Sequence, residues 1–499
     1  MLKNLVYIEI MIAAGTAIFY LLSNRATRRD VGVLPGIVLG AMAAIAFLSP
    51  QLVITYIAIG LIPLIFGRTK LKVGIIVAAG MFAVPLLPMP FQPGGIWLIL
   101  WTTTTSVAVG GMIAFLIARG RKLKTPPWAD VSMFLVILLL IFIDARSGAL
   151  TGYMRQIITY SIDYALPVYV ITRCVGNLVE WRTILAAFAC LGCILAVLGL
   201  YESGAGWPLF SPLYAHYGFP VETLVKFRGG VLRAYGTVEE PTALGATLVI
   251  CFCAALASRR AFRSNLAYVA IVALIAVGTL APQSRGGMIG IAVAFVVSSF
   301  YRRGVGNVAQ LGLAGLLISG IYVGTTVFGS FGAQIATSLE DGQGSADYRT
   351  ELLRRGMQEF WKSPIIGDSY DNVVARMQDM VQGEGMVDFV NSYLYFALFA
   401  GAIGLVIFCI SFLVPMFRLV AVRRTLPPGS IEREIAGFCL AVLVSAAVMI
   451  AFTSYLRRPS VMWLAAASMG LIVSRPRRFR SARPASQTAV RRPSDPVPA

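Results

Sequence analysis

Residues 183–201 read TILAAFACLGCILAVLGLY, an apolar run without a charged side chain. A helix of about 20 such residues covers the roughly 30 Å hydrocarbon core of a bilayer. Comparable runs recur along the whole chain: hydrophobic residues make up 58% of 499, and the mean hydropathy is +0.77. This composition predicts an all-α fold, a polytopic transmembrane helical bundle, rather than a soluble domain.

The apolar runs give a bundle of about 12–15 predicted spans. The predicted spans are roughly 5–22, 31–48, 51–66, 73–88, 95–118, 130–145, 156–172, 183–201, 240–257, 265–281, 287–301, 308–329, 391–417, 434–453 and 459–474.

The formal charge of +19 is concentrated in short basic clusters between these runs. The clusters are NRATRR at 24–29, GRTKLK at 67–72, RGRKLK at 119–124, RRAFR at 259–263, RR at 302–303, RLVAVRR at 418–424 and RPRRFRSARP from 475. This is the positive-inside pattern, which places the clusters at the cytoplasmic face. It favours membrane lipids as partners and argues against a nucleic acid.

The same pattern divides the chain into six segments. These are N-terminal transmembrane helices over 1–201, an outer loop over 202–239, core transmembrane helices over 240–329, an extracytoplasmic lid over 330–390, C-terminal transmembrane helices over 391–474, and a disordered, basic cytoplasmic tail over 475–499. The lid is rich in acidic residues, and its stretch 347–363 has apolar residues at helical spacing. A loop of this length in a compact protein is usually functional.

The stretch SRGG at 284–287 holds a cation between two apolar runs. The charge pattern places Arg285 at the outer face, where the next span presents free N–H groups and a positive dipole end. Gly286 and Gly287 allow a ligand to approach the backbone closely. The turn is a predicted phosphate or diphosphate site; the alternative is an arginine that snorkels to the interface.

The outer loop brings two more arginines, Arg228 and Arg233, to the mouth of a span. They are further candidates for binding a diphosphate. Two alternatives remain open: Arg233 pairs with Glu239 or Glu240, and Thr237 with Glu240 forms a capping box.

Other charged residues are secondary candidates. Asp163 lies inside a predicted span that Arg155 opens from outside, and a carboxylate in a span is a functional hypothesis by default. His216 is the only histidine and lies in the outer loop, and Asn391, at the start of the span after the lid, is the last secondary candidate. The seven cysteines show no metal-site or disulfide spacing.

Three stretches together resemble the O-antigen polymerase and ligase superfamily, which comprises Wzy-type polymerases and WaaL-type ligases. They are RAYGTVEEPTALGATL at 233–248, SRGG at 284–287, and RTELLRRGMQEFWKSPIIGDSYDN from Arg349, followed by NSYLYFALFAGAIGLVIF from Asn391. The resemblance covers roughly 230–415.

The resemblance implies a bacterial inner-membrane glycosyltransferase whose site faces the periplasm. It would transfer glycan from an undecaprenyl diphosphate carrier without a metal or nucleotide cofactor. Arg233 and Arg285 match the arginines that hold the diphosphate, and Arg228 and Arg349 are added as neighbouring candidates. A chain-length regulator and a flippase are expected partners.

The chain departs from the ligase pattern at two positions. Val390 stands where ligases typically carry a histidine before Asn391, and Thr242 replaces an asparagine. A polymerase of a surface or exopolysaccharide is therefore favoured over a ligase that moves glycan to a terminal acceptor. A transporter of lipid-linked oligosaccharide is the alternative of another class.

The catalytic base is chosen from four carboxylates, because a carboxylate in a half-desolvated mouth can accept a proton from a sugar hydroxyl. Asp388 is the first candidate, and Glu384, Glu239 and Glu240 are the others.

Overall fold

The structure is a computed structural model. It describes residues 1–95, 97–146, 150–220, 225–228, 230–303, 348–381, 387–455 and 457–474. The predicted span 308–329, the base candidate Glu384 and the predicted tail 475–499 lie outside these residues.

The described chain is mostly α-helical. Its helices are α1 (Leu2–Leu22), α2 (Arg25–Asp30), α3 (Leu34–Leu48), α4 (Leu52–Phe66), α5 (Lys70–Gly80), α6 (Thr103–Ile117), α7 (Val131–Ala145), α8 (Leu150–Tyr160), α9 (Leu166–Arg173), α10 (Trp181–Ala205), α11 (Ser211–His216), α12 (Pro241–Ala257), α13 (Asn265–Gly278), α14 (Arg285–Arg303), α15 (348–360), α16 (Tyr370–Arg376), α17 (Ser392–Val422), α18 (Ile431–Met449) and α19 (Arg457–Val473). A π-helical turn, Ser161–Ala165, joins α8 to α9.

Two short antiparallel hairpins interrupt the helices. Strand β1 (Met89–Phe91) pairs with β2 (Ile99–Trp101), and β3 (Phe227–Arg228) pairs with β4 (Val231–Leu232).

Several described helices are membrane-spanning by length and composition, which confirms the polytopic all-α class. Five of them are long and apolar enough to cross a bilayer: Leu2–Leu22, Arg25–Leu48, Pro127–Ala145, Trp181–Ala205 and Ser392–Val422. Further apolar helices of 10–17 residues include α4, α6, α12, α13 and most of α19. The total number of spans stays a prediction.

Two predicted spans are shorter than their apolar runs. The run 73–88 is helical only up to Gly80, and Pro85 and Pro88 follow in extended chain. The run 95–118 begins its helix at Thr103, because the preceding residues form β2. Proline lacks the N–H that a helix interior needs, so hydropathy alone overestimates such segments.

Helices α14 and α18 run antiparallel and define the two ends of the bundle. The Ser445 hydroxyl donates to the Gly290 carbonyl near one end (3.1 Å), and the Arg433 Nε donates to the Tyr301 carbonyl at the other (3.2 Å). At 1.5 Å per residue, α14 is about 28 Å long. Arg285 and Tyr301 therefore lie at opposite ends of a helix that is nearly as long as a bilayer core is thick.

Helix α17 is broken at Gly401, and the lid fills the break. Gly401 has φ 66° and ψ −167°, a backbone conformation that glycine adopts readily and other residues rarely adopt. The N–H groups of Ala402 and Ile403 donate to the carbonyls of Pro364 (2.8 Å) and Ile365 (3.2 Å). Backbone groups freed by a break in a span need such partners, so the lid segment completes the span.

Arg146, at the end of α7, anchors the same lid segment. Its guanidinium donates to the carbonyls of Ile366 (2.7 Å) and Gly367 (2.9 Å). The lid is thus joined to two helices of the bundle.

Candidate active site

The outer loop lies across the turn that precedes Arg285. The Ala234 N–H donates to the Ala281 carbonyl at 3.1 Å. The Arg233 Nε donates to the Pro282 carbonyl (3.2 Å), and the Arg228 guanidinium donates to the Gln283 carbonyl (2.9 Å). Two arginines from the loop are therefore held within three residues of Arg285 along the turn.

Arg285 is the first residue of α14 and is half-buried. Within the part of the chain that the structure describes, its side chain has no hydrogen-bond partner and no ion pair. Its guanidinium donors are thus available to an anion, whereas the Gly287 N–H in the first turn of α14 already donates to the Ser284 hydroxyl at 3.3 Å.

The two glycines that follow Arg285 differ in how closely they are packed. A Cβ on Gly287 would lie 3.1 Å from the Cα of Gly245, so α12 and α14 touch backbone to backbone there. A Cβ on Gly286 would meet the Thr453 side chain at 3.6 Å. Gly287 serves helix packing rather than ligand access.

Arg349, on the lid helix α15, shares the electrostatic environment of these arginines. Burial and then the charge of Arg285 lower the pKa of Arg349, while Asp388 opposes the shift. Burial and then the charge of Arg228 lower the pKa of Arg233 to about 10; Glu240 opposes the shift and Arg349 adds to it. With a pKa of about 10, Arg233 remains charged at neutral pH.

Arg228, Arg233, Arg285 and Arg349 are called here the arginine cluster. Burial is the main cause of the lowered pKa values of Arg233 and Arg349, and a neighbouring arginine charge adds to each shift. The Nε of Arg349 is buried without a hydrogen-bond partner among the described residues. A buried donor without a partner is costly, and an incoming anion would satisfy it.

Glu202 positions the loop that carries Arg233, a role that the sequence did not reveal. It is fully buried near the end of α10, and its carboxylate accepts from the N–H groups of Leu209 (2.9 Å), Tyr235 (3.1 Å) and Gly236 (2.8 Å). The adjacent Ser203 hydroxyl donates to the Leu232 carbonyl at 2.9 Å. The loop is therefore fixed on both sides of Arg233.

Glu239 pairs with Arg458 rather than with Arg233. The Arg458 guanidinium lies 2.8 Å from the Glu239 carboxylate and also donates to the carbonyls of Thr237 and Val84, each at 2.7 Å. Arg458 is 3% exposed. Its signal in the sequence, a basic pair before Pro459, looks like an ordinary interfacial cluster.

The alternative capping box is not formed. The Thr237 hydroxyl donates to the Phe82 carbonyl (2.5 Å), and Glu240 is the N-cap of α12 without a side-chain capping bond. Glu240 is exposed, and its carboxylate accepts from the Thr242 hydroxyl at 3.3 Å.

Asp388 lies where the lid meets the start of α17. Its carboxylate accepts from the Ser454 hydroxyl (3.2 Å), and its backbone bonds the Tyr348 hydroxyl. Asp388 is exposed and acts electrostatically on Arg349. The Asn391 side chain caps α17 by accepting from the N–H groups of Tyr393 and Leu394, so its visible role is structural.

The three remaining secondary candidates, Arg155, Asp163 and His216, each contact a different part of the chain. The Arg155 guanidinium lies 3.7 Å from the Trp97 ring centroid. Asp163 lies in the π-helical turn and accepts from the Thr105 hydroxyl at 2.8 Å. The exposed His216 has its Nε2 3.1 Å from the Ser49 carbonyl.

Across the described residues, no group of three His, Cys, Asp or Glu side chains is arranged to hold a metal ion. The cluster is instead a cationic surface with nearby carboxylates, which suits a polyanion rather than a cation.

Residues 270–409 match the family model for O-antigen ligase. The match confirms the resemblance to the O-antigen polymerase and ligase superfamily and, together with the described apolar helices, supports a role in membrane glycan processing of the O-antigen type. The matched range holds Arg285, Arg349 and Asp388, whereas Arg228 and Arg233 precede it. No curated protein matches the chain.

Proposed function

We propose that the protein polymerises undecaprenyl-diphosphate-linked repeat units into a bacterial surface or exopolysaccharide at the periplasmic face of the inner membrane. The observation that carries this proposal is the arginine cluster, in which guanidinium groups from the outer loop, the start of α14 and the lid act on one another. A lipid diphosphate is the polyanion that this superfamily handles at such a face.

The reaction is a glycosyl transfer. An acceptor sugar hydroxyl attacks the anomeric carbon of the donor, the new glycosidic bond forms, and the bond from that carbon to the diphosphate oxygen breaks. The leaving diphosphate takes the electron pair and gains negative charge. Fixed guanidinium groups aimed at that charge stabilise the transition state more than the ground state.

The hydroxyl proton passes to a carboxylate at the site. Asp388 is the first choice, because it is exposed at the junction of lid and bundle and acts on Arg349. Glu240 is the second, because it is exposed and acts on Arg233. Glu239 ranks last, because its carboxylate already pairs with Arg458.

Ligase activity is the second candidate function, and the O-antigen ligase family match favours it. Val390 favours the polymerase, because it leaves the position before Asn391 without a titratable group. A transporter is less well supported, since the cluster gathers at one end of α14 instead of lining a path through the bilayer.

The test uses purified protein in proteoliposomes with an undecaprenyl-diphosphate-linked repeat unit. A polymerase gives a ladder of lengthened glycans, a ligase gives one transfer to an added lipid A–core acceptor, and a transporter gives movement without a new bond. Arg349→Gln should abolish the ladder. Its control is Arg354→Gln on the same lid helix, where an exposed arginine forms its ion pair with Glu351 in the described part of the chain. A ladder unchanged by Arg349→Gln would contradict the proposed site.

A further inference from the structure

The end of α14 opposite the arginine cluster carries a second basic site. Three elements meet there: the C-terminus of α14, the turn after α17 and the start of α18. The Tyr301 carbonyl accepts from the Arg423 Nε (3.2 Å), and from the Nε and one terminal nitrogen of Arg433 (3.2 and 3.1 Å). Cations are favourable at this negative end of a helix dipole, so α14 itself fixes both side chains.

Further contacts hold these two guanidinium groups in place. Arg433 also donates to the carbonyls of Leu426 (3.3 Å) and Arg302 (3.2 Å). The Arg423 guanidinium lies 4.5 Å from the Phe300 ring centroid. The two arginines are therefore preorganised and do not have to be ordered by a ligand.

A cavity of about 310 Å³ opens beside them, lined by Arg423, Arg424, Arg433 and the turn 425–428. Its lining contains no acidic residue. Arg424 is exposed and, among the described residues, has no hydrogen bond or ion pair. The cavity thus presents one unengaged guanidinium beside two fixed ones, which fits a phosphate group.

The surface next to the cavity is apolar and faces outward from the bundle. On the last turns of α17, Phe417 is 67% exposed and Val420 is 44% exposed. In a membrane-spanning helix, such side chains contact acyl chains. A basic pocket that continues into a lipid-facing apolar surface is the arrangement expected for a lipid headgroup at the leaflet rich in anionic lipid.

We propose that this cavity binds the phosphate headgroup of an anionic phospholipid, with its acyl chains along the end of α17. The proposal does not depend on the glycosyl transfer, because the arginines of the cavity are bound at Tyr301, about 24 Å from Arg285 along α14. The bound lipid would fix the ends of α14, α17 and α18 at the face that carries the basic loops.

The test measures binding of phosphatidylglycerol to the full-length protein in detergent, by native mass spectrometry and by titration with a fluorescent short-chain analogue. Arg424→Gln should weaken binding at least fivefold. The matched control is Arg121→Gln, which removes an exposed arginine from another basic loop and should change binding less than twofold. Because the exposed Arg424 side chain makes no hydrogen bond or ion pair with the described residues, its replacement should leave folding intact.

Three results would overturn the proposal. Equal losses in the Arg424 and Arg121 variants would show a general effect of charge. Equal binding of phosphatidylcholine would show that the headgroup charge is not recognised. Displacement of phosphatidylglycerol by millimolar inorganic phosphate would show that the cavity takes a soluble phosphate compound instead of a lipid.

Discussion

At the scale of single residues, the proposed mechanism depends on the shape of the guanidinium as well as on its charge. Lysine in place of Arg233 or Arg285 keeps one charge but loses the planar fork that binds two phosphate oxygens. We expect each variant to slow glycan transfer by about 10- to 1,000-fold. The measurement is the rate at which lipid diphosphate is released. Arg302→Lys, near the opposite end of α14, is the control and should keep its rate.

The prediction for Asp388 is of a different kind. Removal of a general base lowers the reaction rate far more than it lowers the affinity for the donor. Asp388→Asn should lower the transfer rate by about 10² to 10⁴ while donor affinity stays within about twofold. Asp371→Asn removes another exposed lid carboxylate and serves as the control. If Glu240→Gln abolishes transfer and Asp388→Asn does not, the base is Glu240.

At the scale of elements, the break in α17 gives a stability prediction. A Cβ on Gly401 would overlap the Ile365 carbonyl, and the positive φ disfavours any residue except glycine. We expect Gly401→Ala to lower the free energy of unfolding by about 2 kcal/mol or more. Thermal unfolding in detergent measures it. Gly152→Ala in α8 is the control, because nothing lies within 4 Å of its new Cβ, and equal melting of the two variants would refute the prediction.

The helices also show which structural features the sequence patterns could predict. Apolar runs predicted most helices, because burial in lipid needs a long uncharged stretch. The lid helix was also predicted: apolar spacing indicated a helix over 347–363, and α15 covers 348–360. The break at Gly401 could not be predicted, since it depends on carbonyls from a lid segment more than 30 residues earlier in the chain.

At the scale of the whole molecule, charge topology predicted that Arg228, Arg233 and Arg285 would share one face, and the structure brings them to one turn. The residues that fix this arrangement escaped prediction. Glu202 is a single charge and Arg458 is half of a basic pair, and both lie at the ends of apolar runs, a position typical of interfacial residues. Only tertiary structure shows that Glu202 bonds three loop N–H groups and that Arg458 pairs with Glu239.

Arg458 joins the outer loop, the start of α19 and the chain after α5, so its loss should destabilise the whole bundle. Arg458→Met removes the ion-pair partner of the largely buried Glu239 carboxylate, to which the Leu86 N–H still donates, and we expect a loss of about 3 kcal/mol in the free energy of unfolding. Adding Glu239→Gln removes the uncompensated charge and should restore about 1 kcal/mol or more. Denaturant unfolding of the single and double variants in detergent gives this coupling. Arg458→Met loses the hydrogen bonds to the Thr237 and Val84 carbonyls whether or not Glu239 is also replaced. If the effects of the two substitutions simply add, Arg458 therefore stabilises the fold through those two carbonyls alone and not through Glu239.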